Sequence, residues 1–258
     1  LQKNAQAHLQ KKVAIFGASF NPVTVGHMDF IRVLLREPFA SIRIIPAAQS
    51  PLKSKNEYAS VTDRLAMLQM SLKSQFDVKD QSRLCIERLE LDRAAPSRMV
   101  VTLVALILLK QASERYTLAC GYDHFSQMTQ WYRWQTLAGL CQLAFYPREK
   151  ISIVNEVHVA HLKQLCQAGF QISIIFLEQE TKAAFAALCS QDPELTALMS
   201  TVDLRCDPCA YIRWSSATDI RAYYQLSSEV IAPEGMIPEV HDYILKHCCY
   251  RNNKNESD

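Results

Sequence analysis

The residues best suited to chemistry sit in one early stretch, GASFNPVTVGH, residues 17–27, between a short apolar run and a segment with helical spacing. Gly17 lets the backbone come close to a ligand where the preceding strand ends, and Pro22 stiffens the turn that follows. Thr24 and His27 are three apart, so they share a face of a first helical turn near its positive end. From there His27 can donate to a phosphate oxygen and offset charge that develops during a transfer reaction. The chain has only six glycines, and Gly17 and Gly26 are nine residues apart. Neither G-x-G-x-x-G nor G-K-[ST] occurs, so this is a different kind of strand-to-helix phosphate junction.

A second constellation, SSATDIR, lies far along the chain at 215–221. Ser216 and Thr218 would open a helix with hydroxyls and amides facing an anion, with Arg221 one turn in. Alone it reads as well as an N-cap followed by an exposed arginine. Lys53 and Arg64 are candidate cations for a phosphate, against the plainer reading of solvated surface charges. Asp123 follows Gly121 at a strand end, where a carboxylate can accept ribose hydroxyls. Trp131 and Trp134 have the spacing of core aromatics on a helix, and Arg148 follows Pro147 in what could be a surface turn. His158 and His161 share a helical face without an acidic or thiol partner. Cys206-x-x-Cys209 lacks visible partners for zinc, so no metal centre is expected.

These groups must be positioned by strands and helices that alternate. β-rich runs occur at Val13–Phe16, Ile42–Pro46, Leu84–Leu89, Tyr116–Cys120, Gln142–Tyr146 and Gln171–Phe176. Between them lie GHMDFIRVLL, DRLAMLQMSLKS, MVVTLVALILLKQ and VHVAHLKQL, with an Ala-rich helix, TKAAFAALC, further on. Such alternation implies βαβ units, a parallel sheet, and ligands beyond the carboxyl ends of the strands. Residues 13–250 read as one domain, with 150–207 as an elaboration of the sheet. Residues 1–12 read as a polar tail and 251–258 as a disordered one.

Composition narrows the function classes. With a net charge of +2 and no basic run longer than two residues, the chain presents no global nucleic-acid surface. The longest apolar run, MVVTLVALILL, has eleven residues against the ~20 of a membrane span, and reads as a buried core helix. Nine cysteines without a recognisable leader suggest reduced thiols and a cytoplasmic location.

GASFNPVTVGH resembles the [HT]-x-G-H signature of the α/β nucleotidylyltransferase superfamily. PAAQSPLK (46–53), TDRLAML (62–68), GYDHFSQMTQWYRW (121–134) and LAFYPRE (143–149) are similar, in order, to segments of the bacterial nicotinate mononucleotide adenylyltransferase family, and SSATDIR to its I-S-[SA]-T-x-I-R motif. The resemblance implies a Rossmann-like parallel sheet with helices on both faces. It also implies transfer of AMP from ATP to a mononucleotide phosphate, releasing pyrophosphate.

On that footing His27, Thr24 and Arg221 are the catalytic candidates. Gly17, Ala18, Ser19, Phe20, Gly26, Asp123, Ser216 and Thr218 would join His27 and Arg221 in binding ATP. Lys53, Arg64, Trp131, Arg148 and Met99 would meet the acceptor, with Trp131 stacked on the pyridine ring. Magnesium is expected with ATP, held by phosphates and water. The chain departs from the family at Ala18, Asn21 and Met99, the last standing where a threonine helps recognise the pyridine's acid group. Thr24 matches the T-x-G-H form of pantetheine-phosphate enzymes. The leading expectation is a nicotinate mononucleotide adenylyltransferase. Two alternatives stand beside it: a sister enzyme acting on nicotinamide mononucleotide or phosphopantetheine, and a weakly catalytic nucleotide-binding regulator. A homo-oligomer is left open.

Overall fold

In the computed structural model, seven strands form one sheet in the order β3-β2-β1-β4-β5-β6-β7, and every neighbouring pair is parallel. The structure describes residues 10–49, 59–93, 96–109, 114–148, 152–213, 215–226 and 231–250. Lys53 and the 251–258 tail, both singled out above, lie outside them.

In chain order the elements are β1 (Lys11–Ala18), α1 (Val25–Arg36), β2 (Ser41–Pro46), α2 (Val61–Gln75), the single turn α3 (Val78–Gln81), β3 (Leu84–Ile86), α4 (Met99–Leu109) and β4 (Glu114–Gly121). After three short 3₁₀ turns come β5 (Gln142–Tyr146), α5 (Glu156–Gln167), β6 (Ile172–Phe176), α6 (Gln179–Ser190), α7 (Pro193–Leu198), β7 (Val202–Cys206), α8 (Ala217–Leu226) and α9 (Pro238–Lys246).

Alternating strand side chains feed two apolar layers, as the period of two requires. One contains Ala14, Phe16, Ile42, Ile44 and Ala119, covered by α1, α2, α8 and α9 through residues such as Leu34, Leu68, Ile220 and Ile244. The other contains Val13, Ile15, Leu118, Phe145 and Ile174, covered by α4 to α7 through Leu103, Leu162, Phe185 and Leu195. The Rossmann-like arrangement with helices on both faces is therefore present.

Several boundaries differ from those the sequence suggests. β1 begins at Lys11, inside the expected polar tail, because Lys11 and Lys12 pair in register with Glu114 and Arg115 beyond the apolar run. β3 stops at Ile86 instead of Leu89; Glu87 still donates to the Ile44 carbonyl, and the chain then turns away. β7, VDLRC, has too few apolar residues to stand out. It is a half-exposed edge strand, where charges are tolerated. Residues 152–207 add β6 and β7 to this same sheet, together with the helices α5, α6 and α7.

The eleven-residue apolar segment is α4, but it is not a fully buried helix. Val100, Thr102, Leu103 and Leu106 face the sheet, while Val101, Val104, Leu108 and Leu109 are exposed. An outer-layer helix has one face to bury, and here the other is apolar as well. No helix among the described residues is long and apolar enough to cross a membrane.

Candidate active site

The β1–α1 connection goes to one side of the sheet and β3–α4–β4 returns to the other side of β1. The carboxyl ends of β1 and β4 therefore flank a topological switch point, where α/β sheets open a crevice. A cavity of about 730 Å³ lies there, lined by the end of β1 (Gly17, Ala18, Ser19), His27, the turn after β4 (Asp123, His124), Trp131, the start of α4 and the start of α8.

At its centre the first turn of α1 is built reciprocally. Thr24 is the N-cap, with extended φ/ψ of −132° and 168°. Its backbone N–H donates to Nδ1 of His27 at 3.0 Å, and its carbonyl accepts from the His27 N–H at 3.1 Å. An amide N–H can only donate, so Nδ1 is an acceptor and the ring proton sits on Nε2. His27 thus carries its N–H donor on Nε2, and the residue lines the cavity. Phe20 holds the ring at a centroid distance of 4.9 Å, with Phe16 behind it at 6.2 Å. Phe20 is fully buried with φ at 45°, a left-handed conformation that costs about 1–2 kcal/mol and is tolerated where packing fixes the side chain.

The second motif docks directly on this turn. Ser215 Oγ lies 2.7 Å from Thr24 Oγ1 and accepts the Gly26 N–H at 3.2 Å. Gly26 is needed for this approach: a Cβ there would come within 2.6 Å of Ser215 Oγ and 2.8 Å of the Arg213 carbonyl. Ser216 caps α8 by accepting the Asp219 N–H at 3.2 Å, and Ser216, Ala217 and Thr218 line the cavity. Two helix N-termini, those of α1 and α8, therefore meet at one anion-attracting corner.

Asp123 and Arg148 form the adjoining wall. Arg148 donates to Asp123 Oδ2 at 2.8 Å and to the Ser215 carbonyl at 3.1 Å, joining β4, β5 and the second motif. Burial alone would raise the Asp123 carboxyl. The His124 ring, its Nδ1 3.5 Å from Oδ1, and the Arg148 guanidinium overcome it and hold the group at about 2, so it is ionised. Its Oδ1 comes within 2.4 Å of where a Cβ on Gly121 would stand, which accounts for that glycine.

Not every expected residue reaches the cavity. Arg64 is buried, and its guanidinium donates to the carbonyls of Ser19, Ala47 and Ala48 at 2.7, 2.7 and 3.2 Å. It is neither a surface charge nor a cavity cation; it clamps the loops after β1 and β2. Arg221 is also buried, donating to the carbonyls of Asn21 and Ala217 at 2.8 and 3.1 Å and lying 3.3 Å from Thr218 Oγ1. It ties α8 to the β1–α1 turn from behind the cavity wall. Asn21 in turn accepts from the Ala59 N–H and the Tyr250 hydroxyl. Phe20 and Gly26 likewise support the wall without lining it.

Gly17 does line the cavity, but the space its Cβ would fill holds the methyl of Met99, 2.8 Å away. Trp131 lines the cavity too, edge-to-face with His124 at 5.9 Å. Sequence reasoning missed Ser215, His124 and Arg98, all lining residues. Only Ser215 had a signal, as the neighbour of a capping serine. Cys206 is half-buried and Cys209 exposed, both as free thiols.

Comparison with known proteins agrees with this geometry. The model of the cytidylyltransferase-like family matches residues 15–183. A probable nicotinate-nucleotide adenylyltransferase of Legionella pneumophila is 34% identical over 139 residues, covering 54% of this chain and 62% of the relative. One from Synechococcus is 30% identical over 172 residues, covering 66% of this chain and 79% of the relative. The chain thus spans somewhat under two thirds of the length of the Legionella and Pseudomonas relatives it matches. The Plasmodium falciparum nicotinic acid mononucleotide adenylyltransferase complexed with NaAD superposes with a TM-score of 0.64 at 14% identity, covering 93% of this chain and 97% of that one, and so shares the fold. From the match over residues 15–183 and the [HT]-x-G-H junction it contains, the chain belongs to the cytidylyltransferase-like family of nucleotidylyltransferases.

Proposed function

We propose that this protein transfers AMP from ATP to nicotinate mononucleotide, forming the deamido-NAD dinucleotide and pyrophosphate. The observation that carries the reading is the Thr24–His27–Ser215 junction, which sets the Nε2–H tautomer of His27 and brings two helix N-termini to one cavity that Trp131 also lines. The relatives named above carry the same activity in their names.

In the proposed reaction an acceptor phosphate oxygen attacks the α-phosphorus of ATP in line. The bond from that phosphorus to the bridging oxygen breaks, and pyrophosphate leaves. Little covalent help is needed, so positioning and charge stabilisation supply the rate. His27 Nε2–H donates to the phosphate oxygens that gain charge, aided by the amides opening α1 and α8. Asp123, held ionised, accepts ribose hydroxyls. Trp131 offers its face to the pyridine ring. Arg221 and Arg64 act as positioning residues through the loops they clamp, in place of the direct contacts the sequence suggested.

Among the described residues no three His, Cys, Asp or Glu side chains converge to hold a metal. Magnesium would arrive with the triphosphate, held by phosphate oxygens and water, where it would neutralise phosphate charge.

The test is pyrophosphate release from ATP and magnesium, with nicotinate mononucleotide, nicotinamide mononucleotide and phosphopantetheine offered in parallel. Preferred turnover of nicotinate mononucleotide is expected. Turnover confined to another acceptor would move the reading to a sister enzyme. Silence with all three, in folded protein that binds ATP, would overturn it.

A further inference from the structure

We infer that Arg98 receives the carboxylate on the acceptor's pyridine ring and so sets a preference for nicotinate over nicotinamide mononucleotide; this rests on the acceptor proposed above. Nicotinate mononucleotide carries two anionic groups. Its phosphate must approach the α-phosphorus of ATP, beside His27 and the starts of α1 and α8, which leaves the ring acid to be matched at the Trp131 wall. The polar side chains there are His124, which faces the Asp123 carboxylate at 3.5 Å, and the uncharged amides of Gln127 and Gln130. Trp131 and Leu137 are largely apolar, and Met99 turns its methyl toward Gly17.

Two arginines line the cavity, and they differ in what they already hold. Arg148 is committed to the Asp123 carboxylate and the Ser215 carbonyl. The Arg98 guanidinium is stacked on the Tyr132 ring, its carbon 4.0 Å from the centroid, and among the described residues no carboxylate pairs with it. Stacking fixes the plane of the guanidinium and leaves its N–H edges to meet a carboxylate in the bidentate geometry for which arginine is suited.

The backbone reinforces the side chain. The Arg98 carbonyl accepts from the N–H groups of Val101 and Thr102 at 3.0 and 3.2 Å, so Arg98 opens α4 and stands at that helix's positive end. The opposing feature is Glu90, a buried carboxylate in the same wall that accepts the Thr102 hydroxyl at 2.7 Å. A second carboxylate entering beside Glu90 needs a cation to offset the repulsion, and Arg98 is the lining cation placed to do so.

The experiment compares wild type, Arg98→Ala and Arg98→Lys with both pyridine mononucleotides at saturating ATP and magnesium. It measures kcat/KM, and also the Kd of each mononucleotide by calorimetry. Arg98→Ala is expected to lower the nicotinate-to-nicotinamide ratio of kcat/KM by roughly 10- to 100-fold through KM, with part of the ratio restored in Arg98→Lys. An unchanged ratio, or equal loss with both acceptors, would overturn the inference, the latter placing Arg98 on the part the two ligands share. If wild type turns over neither acceptor, the proposed reaction fails, and the calorimetric arm still decides Arg98. Tighter binding of nicotinate mononucleotide that is lost in Arg98→Ala supports it, and any other binding result overturns it.

Discussion

His27 can donate into the cavity only while its Nδ1 accepts from the Thr24 amide, so backbone geometry dictates the tautomer. His27→Ala should lower kcat by about 10²-fold or more, because one charge-stabilising donor is lost, and should also cost about 1–3 kcal/mol of stability, because the buried Thr24 N–H loses its acceptor. Single-turnover kinetics beside a melting curve would check this, and near wild-type turnover would remove His27 from the mechanism. Asp123 gives a pH signature. Its carboxyl is held at about 2 in the fold, against ~3.9 when unfolded, so it contributes stability above about pH 4 that is lost as pH falls toward 2. Asp123→Asn should remove on the order of 1–2 kcal/mol at neutral pH, after solvent screening, and flatten this acid limb in a melting-point series. At this scale the sequence was legible where the chemistry is contiguous. Thr24 and His27 belong to one turn, and their spacing alone places them together. Arg64 and Arg221 were misjudged because an arginine's partners here are carbonyls from distant loops, which spacing does not reveal.

At the level of elements, the site depends on how closely α1 meets the chain ahead of α8. Gly26→Ala would drive a Cβ into Ser215 Oγ and the Arg213 carbonyl, and the carbonyl cannot rotate away. A loss of about 1–3 kcal/mol is expected, with kcat falling as the two N-termini separate. Ser215→Ala leaves the Gly26 N–H without its acceptor and should cost about 1–3 kcal/mol, measured by denaturant unfolding. Strands with dense apolar runs, such as those beginning at Ser41 and Gln142, were plain from composition. β7 was not, because an edge strand needs few apolar residues. Nor was the exposed half of α4, since an all-apolar helix carries no period to say which side is inward.

For the whole molecule, the sheet order sets the crevice at the carboxyl ends of β1 and β4, and residues from both ends of the chain close it. ATP should therefore stabilise the fold as a unit. At a concentration 100 times its Kd, linkage gives about 2.7 kcal/mol, or a rise in melting temperature of roughly 5–10 °C. Calorimetry with and without nucleotide measures it, and no rise would mean that ATP does not bind the folded protein. The alternation of strands and helices made the parallel sheet legible from sequence. The 3₁₀ turns between β4 and β5 were not, since they follow no simple period.

The hydrogen bond between Thr24 and Ser215 joins residues 191 positions apart. At a synthesis rate of about 5–20 residues per second, Ser215 is added roughly 10–40 s after Thr24. Throughout that interval the growing polypeptide carries His27 on a half-built corner, with Gly26 and Thr24 lacking their partner. The corner proposed to carry nucleotide transfer is therefore completed only once residue 215 has been added and can dock on Thr24.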